Sequence, residues 1–199
     1  MNVRLKKTLG WYCGIVHQDQ FSANHCSTEL SMITVAPSNE EQNIAYERMK
    51  FFIHHVLEDS ILICERNPKL EAYQNTGARI ITFPEEPIDQ VVGMLLYLKL
   101  NAIMENRMVI TDVEFWSKSG DSVSYLHSVG ESLGPLSHDG WWSDTRPCWS
   151  LPLDRSTSDK IVSLGRVPEW ADYDLDWQDN PHTDQHSVVF AKFGANEQE

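Results

Sequence analysis

Apolar residues recur at Ala45, Met49, Phe52, Ile53 and Val56, a spacing that lays one stripe along a helix. Just upstream, Ser38-Asn39-Glu40-Glu41 has the form of a capping box, in which the serine oxygen takes the Glu41 amide and the Glu41 carboxylate returns to the serine amide. The pattern predicts a helix over about residues 39–58, with Glu40, Glu47, Arg48 and Lys50 on its wet face. A second helix, about residues 87–105, follows Pro87, whose missing amide suits a first turn. Val91, Val92, Met94, Leu95, Leu96, Leu98, Leu100, Ile103 and Met104 point nearly all round it, so it should be covered on most sides.

Short runs rich in branched residues read as strands: residues 60–65, then 78–83 after the turn material Asn75-Thr76-Gly77. Residues 108–116 and 122–129 alternate as two more strands, with a glycine-containing hairpin loop between them. The resulting fold class is α+β: two main helices packed on a mostly antiparallel sheet, followed by an irregular Trp- and Pro-rich C-terminal segment. Residues 1–31 show no clear period and read as an N-terminal extension or arm outside the core. Residues 32–129 form the α+β core domain. Residues 130–199, punctuated by Pro135, Pro147, Pro152, Pro168 and Pro181, wrap irregularly on that core or on a partner, and residues 187–193 return as a last strand.

Charge narrows the partners. The chain of 199 residues carries 16 basic and 29 acidic residues, a net charge of −13. Direct nucleic-acid binding is disfavoured, because it draws its affinity from Lys and Arg neutralising phosphates. A basic protein surface is the better electrostatic match, and ordinary solubility is the bland explanation. The most apolar run, residues 91–104, is short of the ~20 residues a bilayer span needs, so no membrane crossing is expected. The basic start lacks the apolar core of a signal peptide, and the four cysteines include no CxxC pair, which together favour a reduced, cytoplasmic setting.

Chemistry has few candidates. Asp112 and Glu114 sit two apart on a strand, hence on one face, and could share a divalent metal in a hydrolase or nuclease, with His127 the nearest base. If Trp116 faces Ser122, however, His127 falls on the apolar face with Val109, Val113, Phe115, Val123 and Tyr125, opposite the acids. The run Asp172-Tyr173-Asp174-Leu175-Asp176 imitates the opening of a calcium loop, but Trp177 stands where glycine is required and Thr183 where glutamate should close the cage. Zinc sets drawn from Cys13, His17, His25 and Cys26, or from His182 and His186, lack paired short spacings. His54 and His55 are adjacent on a helix and point apart. Phosphate-loop, dinucleotide, nucleophile-elbow and HExxH motifs are missing. No metal and no cofactor is expected, and catalysis has only Asp112, Glu114 and His127 as weak candidates.

The last compositional signal is aromatic. Five of the seven tryptophans (Trp141, Trp142, Trp149, Trp170, Trp177) lie in one stretch, and six acids with no Lys or Arg lie between Arg166 and Lys192. Trp170, Tyr173 and Trp177 would share one side of a short helix. Such rings either cover the core or anchor a partner, and acidic flanks would steer a basic one. The reading that follows is a non-catalytic interaction or assembly protein, compatible with a homo-oligomer and, by type alone, with a phage or mobile-element accessory or structural protein. It would contact a protein partner through Trp141, Trp142, Trp149, Trp170, Tyr173 and Trp177. Its rivals are the metal-dependent hydrolase and an acidic mimic of nucleic acid that acts as an inhibitor.

Overall fold

The computed structural model describes residues 3–121, 123–147 and 168–178. It begins with two long antiparallel strands, β1 (Arg4–His17) and β2 (Gln20–Thr34). Helix α1 (Asn39–Phe51) follows and continues as one wider turn over Phe52–Leu57. Then come β3 (Ser60–Cys64), the short α2 (Leu70–Gln74), β4 (Arg79–Phe83), α3 (Asp89–Met104), β5 (Met108–Ser117) and β6 (Tyr125–Ser128). The six strands form one sheet in the order β4-β3-β1-β2-β5-β6. It is mixed: β1–β2, β2–β5 and β5–β6 run antiparallel, whereas β3 lies parallel to both β1 and β4. The α+β class therefore holds.

Residues 4–31 overturn the reading of an arm outside the core, because β1 and β2 are the two middle strands. Leu9, Trp11, Cys13 and Ile15 alternate on β1 and are buried against the helices, as are Cys26, Leu30 and Met32 on β2. The two strands reverse through Gln18 and Asp19, both with positive φ (47° and 63°), the backbone that twists correctly into a two-residue hairpin.

Both helices cover one face of this sheet. Ser38 Oγ accepts from the Glu41 amide at 3.2 Å, as the capping box requires, but the Glu41 carboxylate turns to Arg107 (3.7 Å). The stripe Ala45, Met49, Phe52, Ile53 and Val56 is fully buried. Helix α3 is enclosed as its all-round apolarity demands, and it even buries Lys99, whose Nζ donates to the carbonyls of Trp141, Asp144 and Arg146. Arg48, expected on the wet face of α1, is 1% exposed.

Where β2 meets β5 the register slips between Ser31 and Met32, leaving Thr111 as an extra residue on β5. This bulge shifts the alternation, so Met108 and Ile110 face the core before it and Val113 and Phe115 after it. Val109, expected on the apolar face, is therefore turned off it. No described helix is long and apolar enough to cross a membrane. Trp149, Cys148, His182, His186 and the strand expected over residues 187–193 lie outside the described residues.

Candidate functional site

The β6 end of the sheet gathers the acids that the sequence singled out. Strand β6 pairs with β5 so that Asp112 faces Ser128, Val113 faces His127, Glu114 faces Leu126 and Phe115 faces Tyr125. This differs by two residues from the expected register, a shift that preserves which side each residue takes. Asp112 and Glu114 lie on the face away from the helices, and His127 is buried on the other.

Asp112 and His127 are already engaged, and Glu114 faces another acid. Asp112 accepts from Ser128 Oγ at Oδ1 and from Thr111 Oγ1 at Oδ2, both at 2.8 Å, and these bonds hold its carboxyl below the usual range. Glu114 stands opposite Glu29 on β2, and Glu29 is paired with Lys6 at 2.5 Å. The His127 ring packs edge-on to Tyr97 with centroids 4.6 Å apart, and its Nδ1 lies 3.2 Å from the Tyr125 hydroxyl. Burial lowers its pKa from the ordinary histidine value. Acids and imidazole thus do not converge, and among the described residues no group of three His, Cys, Asp or Glu side chains is placed to hold a metal ion.

The first zinc set separates in the same way. Cys13 and Cys26 meet at 3.6 Å between sulfurs under the helices, where their mutual hydrogen bond and then burial raise the Cys26 thiol pKa. His25 is on the open face against Tyr12, and His17 approaches Glu86. On the wider turn that continues α1, His54 pairs with Glu58 while the His55 ring lies tilted against Phe51 at 4.9 Å.

The described tryptophans of the C-terminal segment turn inward. Trp142, Trp170 and Trp177 are each 5% exposed, and Trp141 is half-buried. Every one of these indoles donates within the chain: Trp141 to Thr82 O, Trp142 to His138 O, Trp170 to Thr145 O and Trp177 to Glu105 Oε1. Trp170 and Tyr173 sit on a short helical turn, where Phe51 meets Tyr173 at 4.4 Å and Trp170 edge-on at 5.7 Å. Arg48 lies over the rings of both Trp170 and Trp177. These rings, expected as partner anchors, are occupied by the chain's own core because each has an apolar wall and a carbonyl or carboxylate acceptor within reach.

Sequence reasoning missed the aliphatic set left outside. Val123, Leu126 and Val129, at or beside β6, are 68%, 64% and 65% exposed. Leu126 projects beside Glu114, and Val129 is followed closely by Glu131. The Val129 amide donates to Thr111 O, so odd-numbered residues of this strand bond to β5 and the amides of Leu126 and Ser128 point to the other side, where no strand of the described residues pairs. The Ser128 amide is taken by Glu131 Oε2 at 3.0 Å. The opposite edge differs, since Trp141 reaches across to the β4 carbonyl of Thr82.

No protein-family model matches the chain, and no curated protein matches it. Among solved structures, an uncharacterized protein, WS1659, from Wolinella succinogenes aligns at 11% identity and a TM-score of 0.47, covering 65% of this chain and 99% of its own. The 6-pyruvoyl tetrahydropterin synthase of Plasmodium vivax aligns at 8% identity and 0.42, covering 64% and 97%. That of Plasmodium falciparum aligns at 8% and 0.39, covering 64% and 96%. At these scores the likenesses carry no inference about this chain.

Proposed function

We propose that the chain is a non-catalytic protein-interaction module that takes a basic, extended segment of a protein partner along the free edge of β6. The observation that carries this reading is exposed Leu126 on an edge strand, flanked just beyond its two ends by exposed Val123 and Val129. Natural sheets usually shield such edges, and an edge left apolar is a template for strand addition.

Charge selects the partner. Asp112, Glu114 and Glu131 border these aliphatics on a molecule of net charge −13. A second copy pairing edge to edge would bring like charges together, whereas a segment with Lys or Arg between aliphatic residues meets opposite ones. The aromatic contribution expected from the sequence gives way to an aliphatic one, because the described tryptophans are used inside the fold.

Amide exchange on a complex with a capped peptide of alternating valine and lysine tests the proposal. Slowed exchange at the Leu126 amide is expected. Protection elsewhere with Leu126 unchanged would count against it, and concentration-dependent protection of Leu126 without peptide would identify a second copy as the occupant.

A further inference from the structure

The turn between β1 and β2, the start of α3 and the β5–β6 connection line a half-open cavity of about 580 Å³. That is the size of ordinary small-molecule sites. Its apolar walls include Phe21, Ile88, Val123 and Tyr125. Two glycines set the rings in place. A Cβ at Gly14 would lie 2.4 Å from the Phe21 ring, and one at Gly93 would lie 2.6 Å from the Tyr125 ring.

The charges around this cavity are few and of unequal standing. His17 lines it but approaches Glu86, with Nδ1 3.3 Å from Oε2. Asp89 lines it as the first residue of α3, and its oxygens accept from the Ser117 amide (3.0 Å) and the Ser117 hydroxyl (2.7 Å). Among the described residues no Lys, Arg or His forms an ion pair with Asp89. Two neutral donors leave the carboxylate with spare lone pairs. Aromatic walls beside an uncompensated carboxylate suit a cation on an apolar stem. The same charge, inside a strongly acidic molecule, repels phosphates and carboxylates.

We infer that this cavity binds an organic ammonium group, its stem against Phe21, Ile88, Val123 and Tyr125 and its charge toward Asp89. The site shares Val123 with the exposed set beside β6, but Leu126, whose amide reports strand addition, is not part of its lining, so the two are tested separately. Free amines and the lysyl side chain of a protein share this chemistry.

Titrations followed by ligand-observed NMR would use benzylamine, benzyl alcohol and benzoate, which share a ring and differ in charge, with N-acetyl-lysine methylamide in parallel. Benzylamine or the lysine derivative should bind at least about tenfold more tightly than benzyl alcohol, and the tighter of the two identifies the source. Benzoate should not bind. Ser124→Trp, on the exposed rim, should abolish binding without changing Tm, and Asp89→Asn should reduce benzylamine to the level of the alcohol. Benzoate binding as well as benzylamine, no binding of either ammonium probe, or benzylamine binding that survives Ser124→Trp would overturn the assignment.

Discussion

The guanidinium carbon of Arg48 on α1 sits 3.7 Å over the ring of Trp177 and 4.6 Å over that of Trp170. Its nitrogens donate to Leu175 O (2.8 Å), Ile103 O (3.2 Å) and Glu105 Oε1 (2.8 Å). Burial pulls its pKa down to about 10, with Glu105 opposing, so the charge persists at neutral pH. One buried cation thereby clamps the C-terminal segment to both helices.

Removing that clamp should cost stability. Arg48→Met leaves Glu105 without its ion-pair partner and takes the guanidinium away from Trp170 and Trp177, although Trp177 keeps Arg107 at 4.6 Å, a loss of roughly 3 kcal/mol. Trp177→Ala should cost about 3 kcal/mol by emptying a buried ring site. In urea denaturation the double variant should be less destabilised than the sum by about 1 kcal/mol or more. Additive losses would show that the stacking contributes nothing.

Gly93 on α3 offers a sign test. Alanine normally stabilises a helix interior by ~1 kcal/mol over glycine. Here its Cβ would meet Tyr125 Cδ1 at 2.6 Å and Phe115 Cβ at 3.3 Å. Overpacking of this kind costs about 1–3 kcal/mol, so Gly93→Ala should destabilise the wild type. In a Tyr125→Ala background most of the clash is gone, and the same substitution should be neutral or stabilising in thermal melts.

His127 should make the fold acid-sensitive. Burial depresses its folded pKa below the ordinary 6.5. The unfolded chain therefore binds the proton more readily. Its contribution is full above about pH 6.5 and is lost as pH falls toward the lower folded value. Glu131, with Oε2 3.7 Å from Nδ1, acts in the opposite sense, and Tyr97 and Tyr125 are the other titratable neighbours. The drop in urea midpoint between pH 7.5 and pH 5.5 should shrink in His127→Gln. An unchanged drop would assign the acid sensitivity elsewhere.

Asp112 and Glu114 should not respond to hard metals, because among the described residues no third His, Cys, Asp or Glu side chain is placed to complete a metal site with them. Millimolar Mg²⁺ or Mn²⁺ should move Tm by less than about 1 °C. A rise of several degrees that disappears in Asp112→Asn would restore the hydrolase reading.

How legible the fold was depended on whether local pattern and packing agreed. The α1 stripe, the Ser38 cap and the enclosed α3 follow directly from spacing and composition. The β1–β2 hairpin was hidden because its turn is Gln18-Asp19, which lacks the usual glycine, and because Asn24, Thr28 and Thr34 interrupt the alternation of β2 while being buried themselves. Arg48 read as solvent-facing since nothing local tells that two distant indoles will enclose it. The side taken by the acids and by His127 was readable from parity, whereas the bulge at Thr111 and the two-residue register shift were not. Leu126 and its neighbours carry no motif at all. Their significance comes from lying on an edge among acids, which topology alone decides.

The most direct measurement is a fluorescence-anisotropy titration of two labelled, capped peptides, one alternating valine with lysine and one alternating valine with glutamate, against wild type and Leu126→Asp. Binding of the lysine peptide by wild type, weakened by salt and reduced at least about tenfold in Leu126→Asp, is the expected result. Equal binding of both peptides, or a lysine-peptide affinity unaffected by Leu126→Asp, would contradict the assignment of the β6 edge.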